Sequence, residues 1–256
     1  MLFEKSSIRL KNERQIAGIR ASCALLAETL TKIQELVVPG ARPTDIDAVA
    51  REQIEKHGGR PAFLGYHGFP ASICFSLNNA VIHGIPDDTP LEDGDVVSID
   101  CGIELDGYYS DSAITVAAGD PGEEVQKLMK VTEESLHLGI EAAVAGNRVK
   151  DISRAIYDHI IPHSYGIVRP YCGHGVGLSL HEDPQVPNYV GRGPNPRLKP
   201  GMVLAIEPMV NLGDDDVAVL DDDWTVVTAD DSISVHFEHT IAIHDGWTEI
   251  LTRRSE

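Results

Sequence analysis

Apolar residues recur at helical spacing over residues 11–38, through Ile16, Ile19, Cys23, Leu26, Leu30 and Ile33, and the pattern stops at Pro39-Gly40. That spacing predicts an amphipathic helix. Thr44 with Asp47 resembles a capping pair for a second helix that ends near His57-Gly58-Gly59. The plan then returns: a helix over about 122–145, a break at Gly146-Asn147, and a helix over about 149–163. Between and after the helix pairs the pattern changes to short apolar runs, which predict strands at 73–76, 96–101, 108–116, 202–207, 225–228 and 235–243. Each half therefore reads helix, helix, antiparallel strands. The class is α+β with pseudo-twofold symmetry, two halves (about 12–120 and 121–245) sharing one curved sheet with helices on one face. No low-complexity linker separates them, so residues 1–256 are expected to form a single domain.

One strand is written twice. Residues 91–100 read LEDGDVVSID and residues 198–207 read LKPGMVLAIE, so that a turn launches an apolar run ending on Asp100 or Glu207. A second acid follows in each half, Asp111 within YSDSAI and Glu238 within FEHTI. An Asp106-Gly107 turn would bring Asp100 and Asp111 to the same face of a hairpin. A single acid at a strand end is an ordinary exposed group. Duplicated pairs inside Val-, Ile- and Ala-rich strands are costly to leave unpaired, and four together call for cations. His174, packed by three glycines in the run CGHGVG, is the imidazole best placed to join them, the glycines letting the backbone approach a buried ion. Asp100, Asp111, Glu207, Glu238 and His174 make an oxygen-rich set suited to Mn²⁺, Fe²⁺, Co²⁺ or Zn²⁺. Two such ions held ~3.5–4 Å apart by bridging carboxylates form a hydrolytic centre. For His83, in VIHGIP, the local sequence leaves a catalytic and a core role equally open; His57, His137, His159 and His163 read as surface or core residues near helices.

Composition narrows the classes. A net charge of −19 argues against a nucleic-acid-binding surface. Eight of the acids fall within 214–231 around Trp224, and read as an exposed hairpin excursion with acidic turns, without the glycine and terminal glutamate of an EF-hand loop. No run approaches the ~18 apolar residues of a membrane span, and the N-terminus carries no apolar signal core. Cys23, Cys74, Cys101 and Cys172 are widely spaced without a CxxC pair, as expected of reduced cytoplasmic thiols. No HExxH motif or GxSxG elbow is present, which leaves a serine-hydrolase reading without support.

Taken in order, GYHGFP (65–70), Cys74, NNAVIHGIP (78–86), Asp100, Asp111, YCGHGVG (171–177), HEDPQVP (181–187), IEPMV (206–210) and FEHT (237–240) closely resemble type I methionine aminopeptidase. The resemblance covers essentially the whole chain. It implies the pita-bread fold and removal of the initiator methionine from nascent polypeptides in the cytoplasm, near the ribosome, by a monomer. It also implies a site for two divalent ions, with Asp100 chelating one, Asp111 and Glu238 bridging, and His174 with Glu207 completing the other. By the same route His83 and His181, with Glu207, serve catalysis, the two histidines steadying the peptide carbonyl and the leaving nitrogen. Tyr66, Phe69, Cys74, Leu180 and Trp224 would wall the methionine pocket. Phe63, Phe69 and Leu180 depart from the Cys, Tyr and Phe common in bacterial members. Thirty residues separate Glu207 from Glu238, too few for the helical insertion of type II enzymes, and the chain leaves no room for the extra N-terminal domain usual in prolidases. A binding module that has lost its ligands is the competing class; all five ligands and both histidines are present here.

Overall fold

The computed structural model describes residues 8–254. Helix α1, Glu13–Gln34, starts at a capping box in which Asn12 accepts from the Gln15 N–H and the Gln15 side chain accepts from the Asn12 N–H. It ends four residues earlier than the apolar pattern does. Leu36 and Val38 are exposed and have no face to bury, and the N–H groups of Leu36 and Val37 reach back three residues in a tightened last turn. Helix α2, Pro43–Lys56, corrects the capping expectation. It opens on Pro43, whose missing N–H costs nothing in the first turn. The Thr44 hydroxyl instead donates to Asp88, and Asp47 accepts the N–H groups of Ser72 and Ile73 at 2.8 and 2.9 Å. Asp47 thereby ties α2 to the chain entering the strand Cys74–Leu77. Helices α3, Glu123–Ala142, and α4, Val149–Ile160, repeat the pair. They meet closely at Gly139, where an added Cβ would stand 2.8 Å from Ile156.

In the first half, Asp95–Leu105 and Tyr108–Ala118 form one antiparallel hairpin around Asp106-Gly107, both with positive φ, as a two-residue primed turn requires. Cys74–Leu77 pairs with the other edge of Asp95–Leu105. In the second half, Val203–Ile206 lies between His239–Ile243 and Gly173–Gly175, so each half places the strand leading to its first acid in the middle. The strands of the curved layer are hydrogen-bonded as four sheets, of four, three, three and five strands. The run expected as one strand at 235–243 divides into Ser234–His236 and His239–Ile243. At the break the Glu238 N–H crosses to the Ala113 carbonyl of the first half, 3.0 Å away. Hydroxyls complete this seam: Ser112 donates to the Glu238 carbonyl, Thr115 to the His236 carbonyl, and Thr240 to the Asp111 carbonyl.

The acidic excursion is a hairpin of Val217–Val219 with Val226–Thr228, and its tip residues Val219 and Leu220 are exposed. Its second arm is part of the body: Val226 is fully buried and pairs with Ile82. One core lies under α1 and α2 (Leu26, Leu30, Ile54, Ile99, Ile103) and another under α3 and α4 (Leu128, Leu136, Ile156, Leu204, Ile241). Each such side chain contributes about 1.5–3 kcal/mol on burial. The N-terminal half of α1 serves both, since Ile16, Ile19 and Cys23 pack on Val176, Val203, Ala205 and Ala242 of the second half. All four cysteines are free thiols. Among the described residues no helix is long and apolar enough to cross a membrane.

Candidate metal centre and active site

Asp100 faces Ala113 across the hairpin and Asp111 faces Gly102, which sets the two acids on one face, two residues out of register. Gly102 is glycine for a local reason. The Phe63 ring lies against it, 2.6 Å from where a Cβ would stand. Glu207 follows Val203–Ile206, and Glu238 occupies the break at the seam. His174 sits in Gly173–Gly175 opposite Ala205. Its flanking glycines admit close backbone: the Ala205 and Asp183 carbonyl oxygens stand where a Cβ on Gly173 or Gly175 would lie.

Two groups of potential ligand atoms share Glu238. Asp100, Asp111 and Glu238 have oxygens within 4.8 Å of one another, and so do the ligand atoms of His174, Glu207 and Glu238. A third group of the same dimension joins Asp111 and His174 to His181, a residue the resemblance places in catalysis and substrate contact, outside the metal ligands. His174 Nδ1 shares a 2.9 Å hydrogen bond with the Gly175 carbonyl and must therefore carry the proton. The Nε2 lone pair is left facing Glu207 at 3.6 Å and Asp111 at 3.7 Å. Burial pushes His174 down to about 3, so the ring is neutral, and its backbone anchor is of the kind that orients metal-binding imidazoles.

The acids lie largely out of water, Asp111 and Glu238 most deeply. Burial raises Asp100 to about 7, and burial with the Asp100 charge raises Glu207 to about 8. Asp111 and Glu238 are pushed well above the carboxylate range by burial and then by their acidic neighbours. Buried oxygens of Asp100, Asp111 and Glu238 have no hydrogen-bond partner, and among the described residues no lysine or arginine pairs with these four acids. Orphaned buried carboxylate oxygens converging with a neutral imidazole lone pair fit divalent cations.

The same residues form the floor of a cavity of about 150 Å³. Phe63, Phe69, Cys74, Leu180 and Trp224 supply its apolar wall, and His83, His181 and Tyr66 its polar rim. Trp224 meets Phe69 edge-on at 5.1 Å. His83 adopts a positive φ of 58° and is pushed down to about 4 by burial and then by His181, which makes it neutral. The Tyr66 hydroxyl and His181 Nδ1 share a hydrogen bond of 3.0 Å, which turns the other ring nitrogen of His181 away from Tyr66. The cavity thus gathers every residue expected at the site.

His236 was missed. Its ring is buried with neither nitrogen hydrogen-bonded, and Nε2 lies 3.7 Å from Glu207. Its position two residues before Glu238, in the same apolar run, was the available signal.

The profile of metallopeptidase family M24 matches residues 17–245. The chain belongs to this family. Among M24 relatives, a methionine aminopeptidase of Clostridium perfringens is 51% identical over 245 residues, covering 96% of this chain and 98% of that one. Another, from Borreliella burgdorferi, is 50% identical over 248 residues, covering 96% and 99%. The crystal structure of methionine aminopeptidase from Rickettsia prowazekii superposes with a TM-score of 0.94 at 39% identity, covering 96% of this chain and all of that one. The architecture is the pita-bread fold of these M24 peptidases. Family membership and the clustered acids together support a divalent-metal site in this M24 chain.

Proposed function

We propose that the chain is a metalloaminopeptidase that removes the N-terminal methionine from polypeptides whose second residue is small. The observation that carries this reading is the joining of the carboxylate–imidazole cluster to an apolar cavity in one pocket. The relatives named methionine aminopeptidase support it over nearly the whole chain. A cavity of about 150 Å³ is the size of one that holds benzene. It suits an unbranched thioether against Phe69, Cys74 and Trp224, with little polar cost.

In this reading Asp100, Asp111, Glu207, Glu238 and His174 hold two divalent ions, with Co²⁺, Mn²⁺, Fe²⁺ and Zn²⁺ as the candidates. When bound, such ions supply Lewis acidity that polarises the scissile carbonyl and activates water. The chain's own residues do the rest. The apolar wall seats the methionine side chain and excludes water from it. Neutral His83 and His181 offer ring N–H groups to the peptide carbonyl oxygen and the leaving nitrogen, where charge develops. Glu207 would take at a carboxylate oxygen the proton lost by the attacking water and return it to the departing amine. Both histidines stand at the rim, where they crowd the second residue of a substrate. The natural substrates would be nascent polypeptides near the ribosome, met by a cytoplasmic monomer.

The test compares Met-Ala-Ser, Met-Lys-Ser and Leu-Ala-Ser with Mn²⁺ or Co²⁺ added. Met-Ala-Ser should be cleaved, Met-Lys-Ser left nearly untouched, and Leu-Ala-Ser cleaved slowly, since an apolar mismatch of this size is worth ~1–3 kcal/mol. Faster turnover of Leu-Ala-Ser would indicate a general aminopeptidase, and preference for any X-Pro bond would indicate the prolidase branch.

A further inference from the structure

The loop over residues 177–182 carries Leu180 of the pocket wall and His181 of its rim, and it is held from outside the pocket. Gly177, at φ 126°, is pressed against Ile19 of α1, where no Cβ would fit. Glu182 Oε1 accepts the N–H groups of Leu178 and Ser179 at 2.7 and 3.0 Å, closing the loop on its own carboxylate. Glu182 Oε2 receives Lys11 Nζ at 2.8 Å, and both side chains of this pair are 1% exposed. Arg9 adds a contact to the same oxygen at 3.2 Å, and another of its nitrogens donates to the Ser179 hydroxyl at 2.8 Å. Lys11 is itself fixed, since its N–H donates to the Gly201 carbonyl.

Resting on the function proposed above, we propose that Lys11 and Glu182 are positioning residues that hold His181 and Leu180 in register with the pocket. A buried ion pair is a poor source of net stability, because desolvation offsets its attraction, and the best-attested use of such a pair is to fix one register. Here every side-chain polar contact of the pair ends on the 177–182 loop or on the segment before α1. Burial pulls Lys11 below its ordinary value, and Glu182 is what opposes that loss of charge. Asp100, Asp111, His174, Glu207 and Glu238 hang from the strands and the seam, so loosening the loop should move His181 and Leu180 and leave those five in place. The residues preceding α1 thereby become part of the specificity of the site.

The test uses the full chain with Mn²⁺. Lys11→Met should lower kcat/KM for Met-Ala-Ser by about 10- to 100-fold, the scale of a small misplacement of a reacting group. Mn²⁺ affinity by calorimetry should not change. In a His181→Ala background, Lys11→Met should add less than about a twofold loss, because residues acting as one unit are not additive. The amides of Leu178 and Ser179 should exchange hydrogen faster in Lys11→Met. If Lys11→Met fails to fold, Lys11→Met/Glu182→Gln removes both buried charges, and the same losses and faster exchange are expected of it. Unchanged exchange, unchanged kcat/KM, a full additive loss in the His181→Ala background, or loss of Mn²⁺ binding would each overturn the proposal. A wild-type chain inactive on Met-Ala-Ser would instead overturn the reading of the site, while amide exchange would still decide whether Lys11 holds the loop.

Discussion

At the scale of single residues, the proposed function separates an imidazole that would face cations from imidazoles that would face substrate. His174 is neutral, its Nδ1 proton is spent on the Gly175 carbonyl, and its Nε2 points at Asp111 and Glu207. His174→Ala should therefore weaken Mn²⁺ binding and lower the rate together. His83 stands on the rim, against Tyr171 and Trp224, with its ring centroids 5.7 and 6.3 Å from theirs. His83→Ala should leave Mn²⁺ affinity nearly intact and lower kcat by about 10²–10³, the effect of removing one donor to developing charge. Calorimetry beside steady-state kinetics checks both, and equal loss of Mn²⁺ in the two variants would show that the roles are misassigned. Asp100 and Glu207 were legible in the sequence because the strand leading to each is written twice, Asp111 and Glu238 because each follows as a second acid in its half, and His174 because three glycines pack around it. His236 was not singled out, since its one sequence signal is its place two residues before Glu238, and its burial beside Glu207 shows only in the structure.

At the scale of elements, the seam between the halves depends on side-chain hydroxyls where a continuous backbone ladder would otherwise run. Thr240 Oγ1 accepts the Asp111 N–H at 3.2 Å and donates to the Asp111 carbonyl at 2.6 Å. Thr240→Val keeps the shape and orphans both backbone groups, a loss of about 1–3 kcal/mol. For a chain of this size each kcal/mol lowers Tm by about 2–4 °C. Because those groups belong to Asp111, Mn²⁺ affinity should fall as well. A thermal melt and a Mn²⁺ titration check the pair of effects, and a lowered Tm with unchanged affinity would show that the seam only stabilises. The helices, the primed hairpin turn and the acidic excursion were readable from periodicity and turn residues. The break at Phe237-Glu238 was not, because its apolar run is continuous and the interruption comes from the partner hairpin.

At the scale of the whole molecule, folding forces four acids into one dry pocket, so cation binding and stability are linked. Chelation should lower Tm, and restoring Mn²⁺ should raise it; a ligand at 100 times its Kd adds about 2.7 kcal/mol. The metal-free chain should also respond to pH. Asp100 and Glu207 hold their protons in the folded state up to about 7 and 8, above their ordinary values of 3.8 and 4.5. The native state then binds more protons than the unfolded one between those limits. The resulting stability is present in full below the ordinary carboxylate values and is lost as pH rises through about 7 to 8. Melts of the chelated chain from acid to mildly alkaline pH should show Tm falling across that window, and Mn²⁺ should remove most of the slope. A flat Tm would mean that the acids are solvated or paired in solution.

The sequence by itself determined the element types, the two-half plan and the identities of the five clustered candidate ligands, because periodicity, turn chemistry and a repeated strand are local in the chain. Asp100 and Asp111 could be paired from Asp106-Gly107 alone. What brings Glu238 to them is the crossing of its N–H to Ala113, a contact between residues far apart in sequence. The pocket wall likewise needs Phe63 over Gly102 and a loop fastened by Lys11 through Glu182. Those choices follow from steric fit and from the need to satisfy buried polar groups, conditions that exist only once the two halves have closed on each other.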